Sequence, residues 1–376
     1  MCRLFSLTSR EPISPMRAIE ALDVMREGHD GSGVGLYLHG LSGPLADYAH
    51  YPILSGIFTA NGIERMESFM RSKGYTPSFS LPVLPTGTPP QGTPLRHTYL
   101  IQAFIPPEGW EKWDTLDQEQ HLVQTRLELR HMGLEHADIT VFSFWPDTAV
   151  IKEIGDPLHV GQYLQLDRED FHAQVVLAQG RQNTNYAINL YACHPFFLQG
   201  VCTMTNGENT AFIPIREYLS SQGVLGYEGY QSDSEVFAHI LHYTTKHLGL
   251  GLDAYKHIIT PLKDQELNNH PNAPFLRRLK QACRRLIIDG PNCVIGCLPD
   301  QTLFMAQDSK KLRPGVVGGK PGLYAFSSEV CGLDAAIPER DASKDFQPMH
   351  LDTAYVGPER KEVNICRQTQ PLALQH

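Results

Sequence analysis

The second residue of the chain, Cys2, constrains the fold more than any other position. Removal of Met1 would leave one residue that carries both a thiol nucleophile and a free α-amino group. That amine has a reference pKa of about 7.7–8.0, so it can act as a base toward the adjacent thiol. Leu4 to Leu7 predicts a short strand directly after Cys2. A fold that uses Cys2 chemically must therefore hold the start of the chain at the edge of a sheet.

The composition is that of a globular protein large enough to bury a substantial core. Of its 376 residues, 41% are hydrophobic and 19% are charged. The net charge of -9 argues against a nucleic-acid partner, and the eight scattered cysteines do not resemble a secreted disulfide framework. The first thirty residues have no apolar signal region, and no window of eighteen residues is continuously apolar. We therefore expect a cytoplasmic protein with no membrane span.

Short apolar runs alternate with helical patterns along the chain, and no repeat or clear linker divides it, so we expect one domain over 1–376. A proline-rich segment at about 74–96 is predicted to be a surface excursion, because proline disrupts central strands and helices. Two hairpins are predicted, one joining 138–144 to 148–154 and one joining 293–298 to 302–306.

Three downstream positions carry side chains that would complement a thiol nucleophile. Arg181 follows an apolar strand, Asn206-Gly207 lies at the end of another, and Asp233 lies beside Ser232 in a predicted capping box with Glu235. A helix N-terminus favours an ionised Asp. Each position also has a simpler interpretation. Arg181 could be a surface charge, Asn206-Gly207 a hairpin turn, and Asp233 a neighbour of a helix cap.

Together these positions resemble the glutaminase domain of glutamate synthase, a class II glutamine amidotransferase of the N-terminal-nucleophile hydrolase type. The motifs occur in the family's order over nearly the whole chain. They are Arg181 to Asn185, His194-Pro195-Phe196, Asn206-Gly207-Glu208, Ser232 to Glu235, Leu312-Arg313-Pro314 and Ser328-Glu329-Val330.

The resemblance implies an α+β fold with four αββα layers, in which two antiparallel sheets lie between helical layers. It implies that Cys2 attacks the side-chain amide of L-glutamine and forms a γ-glutamyl thioester. The Asn206 amide and the Gly207 N–H would then stabilise the oxyanion. Arg181 would bind the substrate carboxylate and Asp233 its ammonium group.

The sequence also departs from the family pattern. Arg3 follows Cys2 where the family has Gly, Thr205 precedes Asn206 where the family has His, and the family's Trp is missing near 186–190. Arg26 is a further candidate, matched to an arginine near the nucleophile although the spacing differs by one residue.

The resemblance further implies a glutaminase subunit that passes ammonia to a separate synthase, of the glutamate synthase or N-methylglutamate synthase type. This chain would hold no cofactor, and FMN and iron–sulfur clusters would belong to the flavin-containing partner. The alternatives are a catalytically silent binding or regulatory protein on the same fold, and an independent amidase.

No metal site is predicted from the sequence. Cys293 and Cys297 fall in an apolar hairpin, which is typical of core cysteines. His239, His242 and His247 share a helix but lack a carboxylate partner, so they are interpreted as surface or interface histidines.

Overall fold

The computed structural model describes residues 2–83, 87, 98–182, 188–226 and 232–372. The strands within these ranges, in chain order, are β1 (Arg3–Ile13), β2 (Val34–Leu41), β3 (Pro52–Phe58), β4 (Thr76–Val83), β5 (Thr98–Ile105), β6 (Ile139–Pro146), β7 (Thr148–Glu153), β8 (Ala173–Gly180), β9 (Phe196–Leu198), β10 (Val201–Gly207), β11 (Asn292–Cys297), β12 (Leu303–Gln307), β13 (Val316–Lys320), β14 (Leu323–Ser327), β15 (Asp352–Val356) and β16 (Asn364–Arg367).

The α-helices in the same ranges are α1 (Met16–Asp23), α2 (Ala60–Ser72), α3 (Thr115–His136), α4 (Pro157–Tyr163), α5 (Phe212–Ser221), α6 (Glu235–His242), α7 (Leu252–Ile259), α8 (Asp264–Asn268), α9 (Ala273–Ala282) and α10 (Val330–Ala336). A π-helical turn, Tyr243–His247, continues α6. In this described part of the chain, no helix has the length and apolar character needed to cross a membrane.

The strands form three sheets, and the strand pairs within them are antiparallel. The first sheet has the order β13-β14-β1-β8-β2-β7, and the second has the order β16-β15-β12-β11-β10-β9. The third sheet is smaller, with the order β4-β5-β3-β6. The prediction of two antiparallel sheets is confirmed for the first two, and the third sheet is an addition that the sequence did not predict.

The first and second sheets pack face to face and share one apolar core. Leu177 and Tyr37 from the first sheet belong to the same buried cluster as Met204, Ile295 and Met305 from the second. Helices α1, α4 and α10 lie on the outside of the first sheet. Helices α5, α6, α7 and α9 cover the outside of the second, where they pack on residues of β11 and β12. These layers are the predicted αββα arrangement.

The third sheet covers β7 and the nearby end of the first sheet. Alternate residues of β3 point to opposite faces, as pleated strands require, so Ile53 and Ile57 join the main core while Leu54 and Phe58 pack under α2 and α3. Strands β2, β3, β7 and β11 are buried along their whole length because both faces are covered.

The predicted hairpin joining 138–144 to 148–154 is wrong. Strand β6 pairs with β3 in the third sheet, whereas β7 pairs with β2 in the first. The chain crosses between these sheets at Asp147, which has a φ of 51° and accepts a hydrogen bond from the Leu41 N–H at 2.8 Å. The late hairpin is confirmed, since β11 pairs directly with β12.

Part of the proline-rich segment that was predicted to be a surface excursion forms a strand. Thr76–Val83 forms β4, which is an edge strand and therefore tolerates Pro77 and Pro82. Most of the remaining segment, 84–86 and 88–96, lies outside the described residues. The single domain over 1–376 stays a prediction.

The interpretation of the helical histidines as surface residues is wrong for two of the three. His239 and His242 are buried, with 4% and 3% of their surfaces exposed, because α6 lies between the second sheet and neighbouring helices. Only His247 is exposed. Burial, with smaller contributions from His247, His239 and Lys246, lowers the pKa of His242 to about 3.

A buried neutral histidine predicts acid sensitivity. Unfolded histidine binds a proton near pH 6.5, so the unfolded state gains protons first, and stability is lost as the pH falls from about 6.5 toward 3. We expect His242 to account for about 2 kcal/mol of lost unfolding free energy at pH 5 relative to pH 7.5. Urea unfolding at both pH values should show a smaller loss for His242→Gln than for the wild type. His131→Gln is the control because His131 is exposed, and equal losses in the wild type and His242→Gln would contradict the assignment.

Candidate active site

One polar cavity of about 120 Å³ lies between the ends of β1, β8 and β10 and the start of α6. Its lining includes Cys2, Arg181, Asn206, Gly207 and Asp233, which are the five residues predicted to bind and react with substrate, together with Thr205. The other lining residues are Gln182, Ala192, His194, Glu208, Ser232, Ser234 and Arg313. The fold thus brings together positions that are separated by more than two hundred residues in the sequence.

Cys2 directly precedes β1, an interior strand between β14 and β8. The Gln182 N–H donates to Cys2 Sγ at 3.5 Å, and Sγ lies 3.7 Å from the Gln182 carbonyl oxygen. Burial raises the pKa of the Cys2 thiol, while the Gln182 hydrogen bond and the nearby Arg181 charge oppose that shift. The thiol is therefore held in place but needs a base to ionise it at neutral pH.

Arg181 follows β8 directly and is almost fully buried. Its N–H donates to the Gly33 carbonyl at 2.8 Å, and its own carbonyl accepts from Ser32 Oγ at 3.3 Å. These bonds attach the residue to the chain leading into β2. The alternative interpretation of Arg181 as a surface charge is therefore wrong, and the guanidinium is a buried charge at the cavity.

Asn206 and Gly207 form the last two positions of β10, where they pair with Cys293 and Asn292 of β11. The alternative interpretation as a hairpin turn is therefore wrong. Asn206 is buried, and its Nδ2 has no hydrogen-bond partner among the described residues. At Gly207 a β-carbon would lie 2.4 Å from the Pro291 carbonyl oxygen, so only glycine permits this close strand contact.

Asp233 lies just before α6 rather than in its first turn. The helix begins at Glu235 with Ser234 as its N-cap, and Ser232 Oγ accepts from the Ser234 N–H at 3.4 Å. The predicted capping box is therefore wrong, because the turn before the helix occupies those side chains. Asp233 accepts from the Asn209 N–H at 2.7 Å and from Ser234 Oγ at 3.2 Å. Burial raises the pKa of Asp233, and these hydrogen bonds partly offset the shift.

Thr205 connects the two sides of the cavity. Its hydroxyl donates to Ser234 Oγ at 2.6 Å, and its N–H donates to His194 Nδ1 at 3.1 Å. Its carbonyl accepts from Gln179 Nε2 at 3.3 Å, and Gln179 Oε1 accepts from the His194 N–H at 3.2 Å. The residue that replaces the family's His is therefore part of a hydrogen-bond network joining β8, β10 and the approach to α6.

His194 and Arg313 are cavity residues that were not predicted as site residues. Burial, with the charges of Arg181 and Lys152, lowers the pKa of His194 well below its usual range. Because Nδ1 accepts a hydrogen bond, the neutral ring carries its proton on Nε2. Both residues occur in the motifs that support the family resemblance. Those motifs therefore contained a sequence signal for both residues, but it indicated the family and not their place in the site.

Arg26 does not line the cavity. Its Nη2 lies 3.2 Å from Asp23 Oδ2, and its side chain is three-quarters exposed. Residues 183–187, which contain most of the Arg-x-x-Thr-Asn motif and part of the region missing the family's Trp, lie outside the described residues.

The described part of the chain contains no cluster of three or more His, Cys, Asp or Glu residues placed to hold a metal ion. Cys293 and Cys297 are fully buried in β11, as predicted for core cysteines.

No family model matches the chain, and no curated protein matches it in sequence. Three solved structures show how its fold compares with those of known proteins. The first is an allosteric regulatory enzyme of purine biosynthesis, 12% identical, with a TM-score of 0.50 over 98% of this chain. The second is the glutamine phosphoribosylpyrophosphate amidotransferase of B. subtilis, 11% identical over 98% of this chain, with a TM-score of 0.47. The third is a glutamine aminotransferase class-II domain protein from Silicibacter pomeroyi, 13% identical, covering 90% of this chain and all of its own, with a TM-score of 0.32.

The chain shares its α+β fold with the first of these structures. The predicted α+β fold with two stacked antiparallel sheets is thereby confirmed. The chain spans 49% of the length of the first two structures.

The Thr205 hydroxyl provides a test of the hydrogen-bond network. Thr205→Val removes the bond to Ser234 and should lower the unfolding free energy by about 1 kcal/mol, measured by urea denaturation. Thr203→Val is the matched control, because Thr203 is buried in the same strand and its hydroxyl has no partner among the described residues. That control should be neutral or stabilising. An equal loss in both variants would mean that the Thr205–Ser234 bond contributes no net stability.

Proposed function

We propose that this chain is a glutamine amidotransferase subunit that hydrolyses L-glutamine to L-glutamate and ammonia through a thioester on Cys2. The observation that supports this most directly is the shared cavity, in which a thiol, a guanidinium, a carboxylate and an unpartnered amide donor lie together. A site for glutamine needs each of these groups, because the substrate has a carboxylate, an ammonium group and a reactive amide.

Recognition of the amino acid end would use two opposite charges that line the cavity. The Arg181 fork suits a carboxylate, which accepts two parallel hydrogen bonds. Asp233 suits the α-ammonium group, and a bound cation favours its ionised form. The Arg181 backbone and the Asp233 side chain are held by hydrogen bonds from their surroundings, which limits how far these residues can move before the substrate binds.

The reaction would begin with attack of the Cys2 thiolate on the amide carbon. The thiol proton passes to the α-amine that removal of Met1 exposes, and a C–S bond forms as the carbonyl electron pair moves to oxygen. Asn206 Nδ2 and the Gly207 N–H would donate to that oxygen. Collapse of the intermediate breaks the C–N bond and releases ammonia once the leaving nitrogen has received the proton. Water then hydrolyses the thioester and restores the thiol.

The proposal extends to a partner that uses the ammonia. On the family resemblance, the partner is a flavin-containing synthase of the glutamate synthase or N-methylglutamate synthase type, and FMN and iron–sulfur clusters belong to it rather than to this chain. Direct transfer between the subunits would prevent free ammonia from being diluted and protonated in bulk water.

Replacement of the nucleophile tests the proposed activity. Cys2→Ala should reduce glutamine hydrolysis by several orders of magnitude, because a required nucleophile is lost. The control is Cys331→Ala, which removes a half-buried thiol that does not line the cavity. Ammonia and glutamate release should be followed together with the intact mass of the active preparation. Near-normal turnover by Cys2→Ala would contradict the nucleophile, and full activity with Met1 retained would contradict the amine as base.

Two further substitutions separate transition-state stabilisation from substrate binding. Asn206→Ala should lower kcat by roughly 10²–10³ with little change in KM, because the amide acts mainly on the oxyanion. Arg181→Lys should mainly raise KM, because an ammonium cannot reproduce the planar fork. Steady-state kinetics on glutamine measure both parameters. An exchange of these two kinetic signatures would mean that the assigned roles are wrong.

A further inference from the structure

Arg313 brings a second guanidinium to the cavity. The residue is half-buried, and its Nε is buried without a hydrogen-bond partner among the described residues. No carboxylate in the described ranges forms an ion pair with it, whereas the buried Arg340 contacts both Asp334 and Asp345. Placing a cation in a partly desolvated position is unfavourable unless an anion compensates for it. No ion pair of Arg313 exists among the described residues, so a ligand bound in the cavity can supply that anion.

The loop that carries Arg313 is anchored to the strand beside Gly207. Asp308 accepts from the Lys310 and Lys311 N–H groups at 3.1 and 2.6 Å through Oδ1, and from the Asn292 N–H at 3.0 Å through Oδ2. Asn292 is in turn the residue that pairs with Gly207. Arg313 therefore belongs to a loop that is held on the oxyanion side of the proposed site.

The charges of the cavity exceed those that glutamine requires. Arg181 and Asp233 match the carboxylate and ammonium of the amino acid end. Glu208 and Arg313 also line the cavity, and glutamine has no further charge for either of them. Glu208 is exposed to solvent and loses little hydration there. Among the described cavity residues, Arg313 is therefore the partly buried charge that glutamine leaves without a counter-ion.

Hydrolysis creates the missing anion. It converts the neutral amide of glutamine into a carboxylate with a reference pKa of about 4.3, which is ionised at neutral pH. This new charge appears at the γ end of the molecule, where Asn206 and Gly207 would hold the carbonyl oxygen.

We propose that Arg313 binds the γ-carboxylate of L-glutamate, so that the product of the reaction competes with the substrate for the same site. This inference rests on the proposed function. The consequence is product inhibition, because hydrolysis slows as accumulating glutamate occupies the site. Arg313 is thus a specificity-determining residue that distinguishes the acid from the amide at one end of an otherwise identical ligand.

The test is equilibrium binding to the Cys2→Ala chain, in which glutamine is not consumed. Isothermal titration calorimetry at pH 7.5 compares L-glutamine with L-glutamate, which differ only at the γ end. Arg313→Met in this background should weaken glutamate binding by about tenfold or more, the loss expected for a hydrogen bond between charged groups. Glutamine binding should change less than about threefold. Arg313→Lys should retain part of the preference, since it keeps the charge but loses the fork.

Lys310→Met is the matched control, because Lys310 is an exposed cation in the same loop that does not line the cavity. It should leave both affinities within about twofold, which excludes a general effect of removing positive charge. Equal weakening of glutamine and glutamate by Arg313→Met would place the residue at the α-carboxylate and overturn the inference. Unchanged binding of both would overturn it as well. A folded Cys2→Ala chain that binds neither amino acid would overturn the proposed function itself.

Discussion

The candidate site depends on the hydrogen bonds that Thr205 makes to both sides of the cavity. Through Gln179 and His194 its backbone is attached to the first sheet and to the chain before β9, and through Ser234 its hydroxyl is attached to the approach to α6. Asn206 is the next residue. Its position relative to Cys2 is therefore fixed by three buried hydrogen bonds rather than by apolar packing alone. Such bonds are directional, so they set distances that a hydrophobic contact between two sheets would leave free to slide.

Burial has opposite consequences for the titratable groups around this network. It raises the pKa of Cys2 and of Asp233 and lowers the pKa of His194, so each group is biased toward its neutral form. For His194 that bias suits its role as a hydrogen-bond acceptor, because Nδ1 can accept from the Thr205 N–H only while the ring is neutral. In the proposed reaction, a base would overcome that bias at Cys2 and a cationic ligand would overcome it at Asp233.

Much of the sandwich could be predicted from the sequence because short apolar runs with turn residues between them are local signals. Cys293 to Ala306 is an example, where two runs and a short turn formed the expected hairpin. The third sheet could not be predicted, because the sequence of 138–154 does not indicate that β6 and β7 pair with different strands. That choice depends on strands far away in the chain. The capping box failed for a related reason, since Asp233 accepts from the N–H of Asn209, a residue distant in sequence, and Ser232 Oγ accepts from the N-cap residue Ser234 rather than from Glu235.

The order of the motifs along the sequence predicted most of the cavity residues. It did not predict roles that depend on contacts between residues distant in sequence. The role of His194 depends on its hydrogen bond with Thr205, and the position of Arg313 depends on the attachment of its loop to Asn292. Neither contact has a signature in the linear sequence. Arg26 shows the converse, because a motif position near the expected spacing lies on the surface, paired with Asp23.

The way the third sheet joins the rest of the molecule has a consequence for how the chain could vary. Pro52 begins β3 and Pro146 ends β6, and these two residues are paired neighbours. The ninety-odd residues between them therefore leave the sandwich and return to it at one place. Insertions, deletions or a different module could occupy this segment without changing the path of the chain through Cys2, Arg181 or Asn206. Such a replacement would still have to cover the main core. Ile53, Ile57 and Ile101 now pack against that core, so a shorter segment would need an equivalent apolar face.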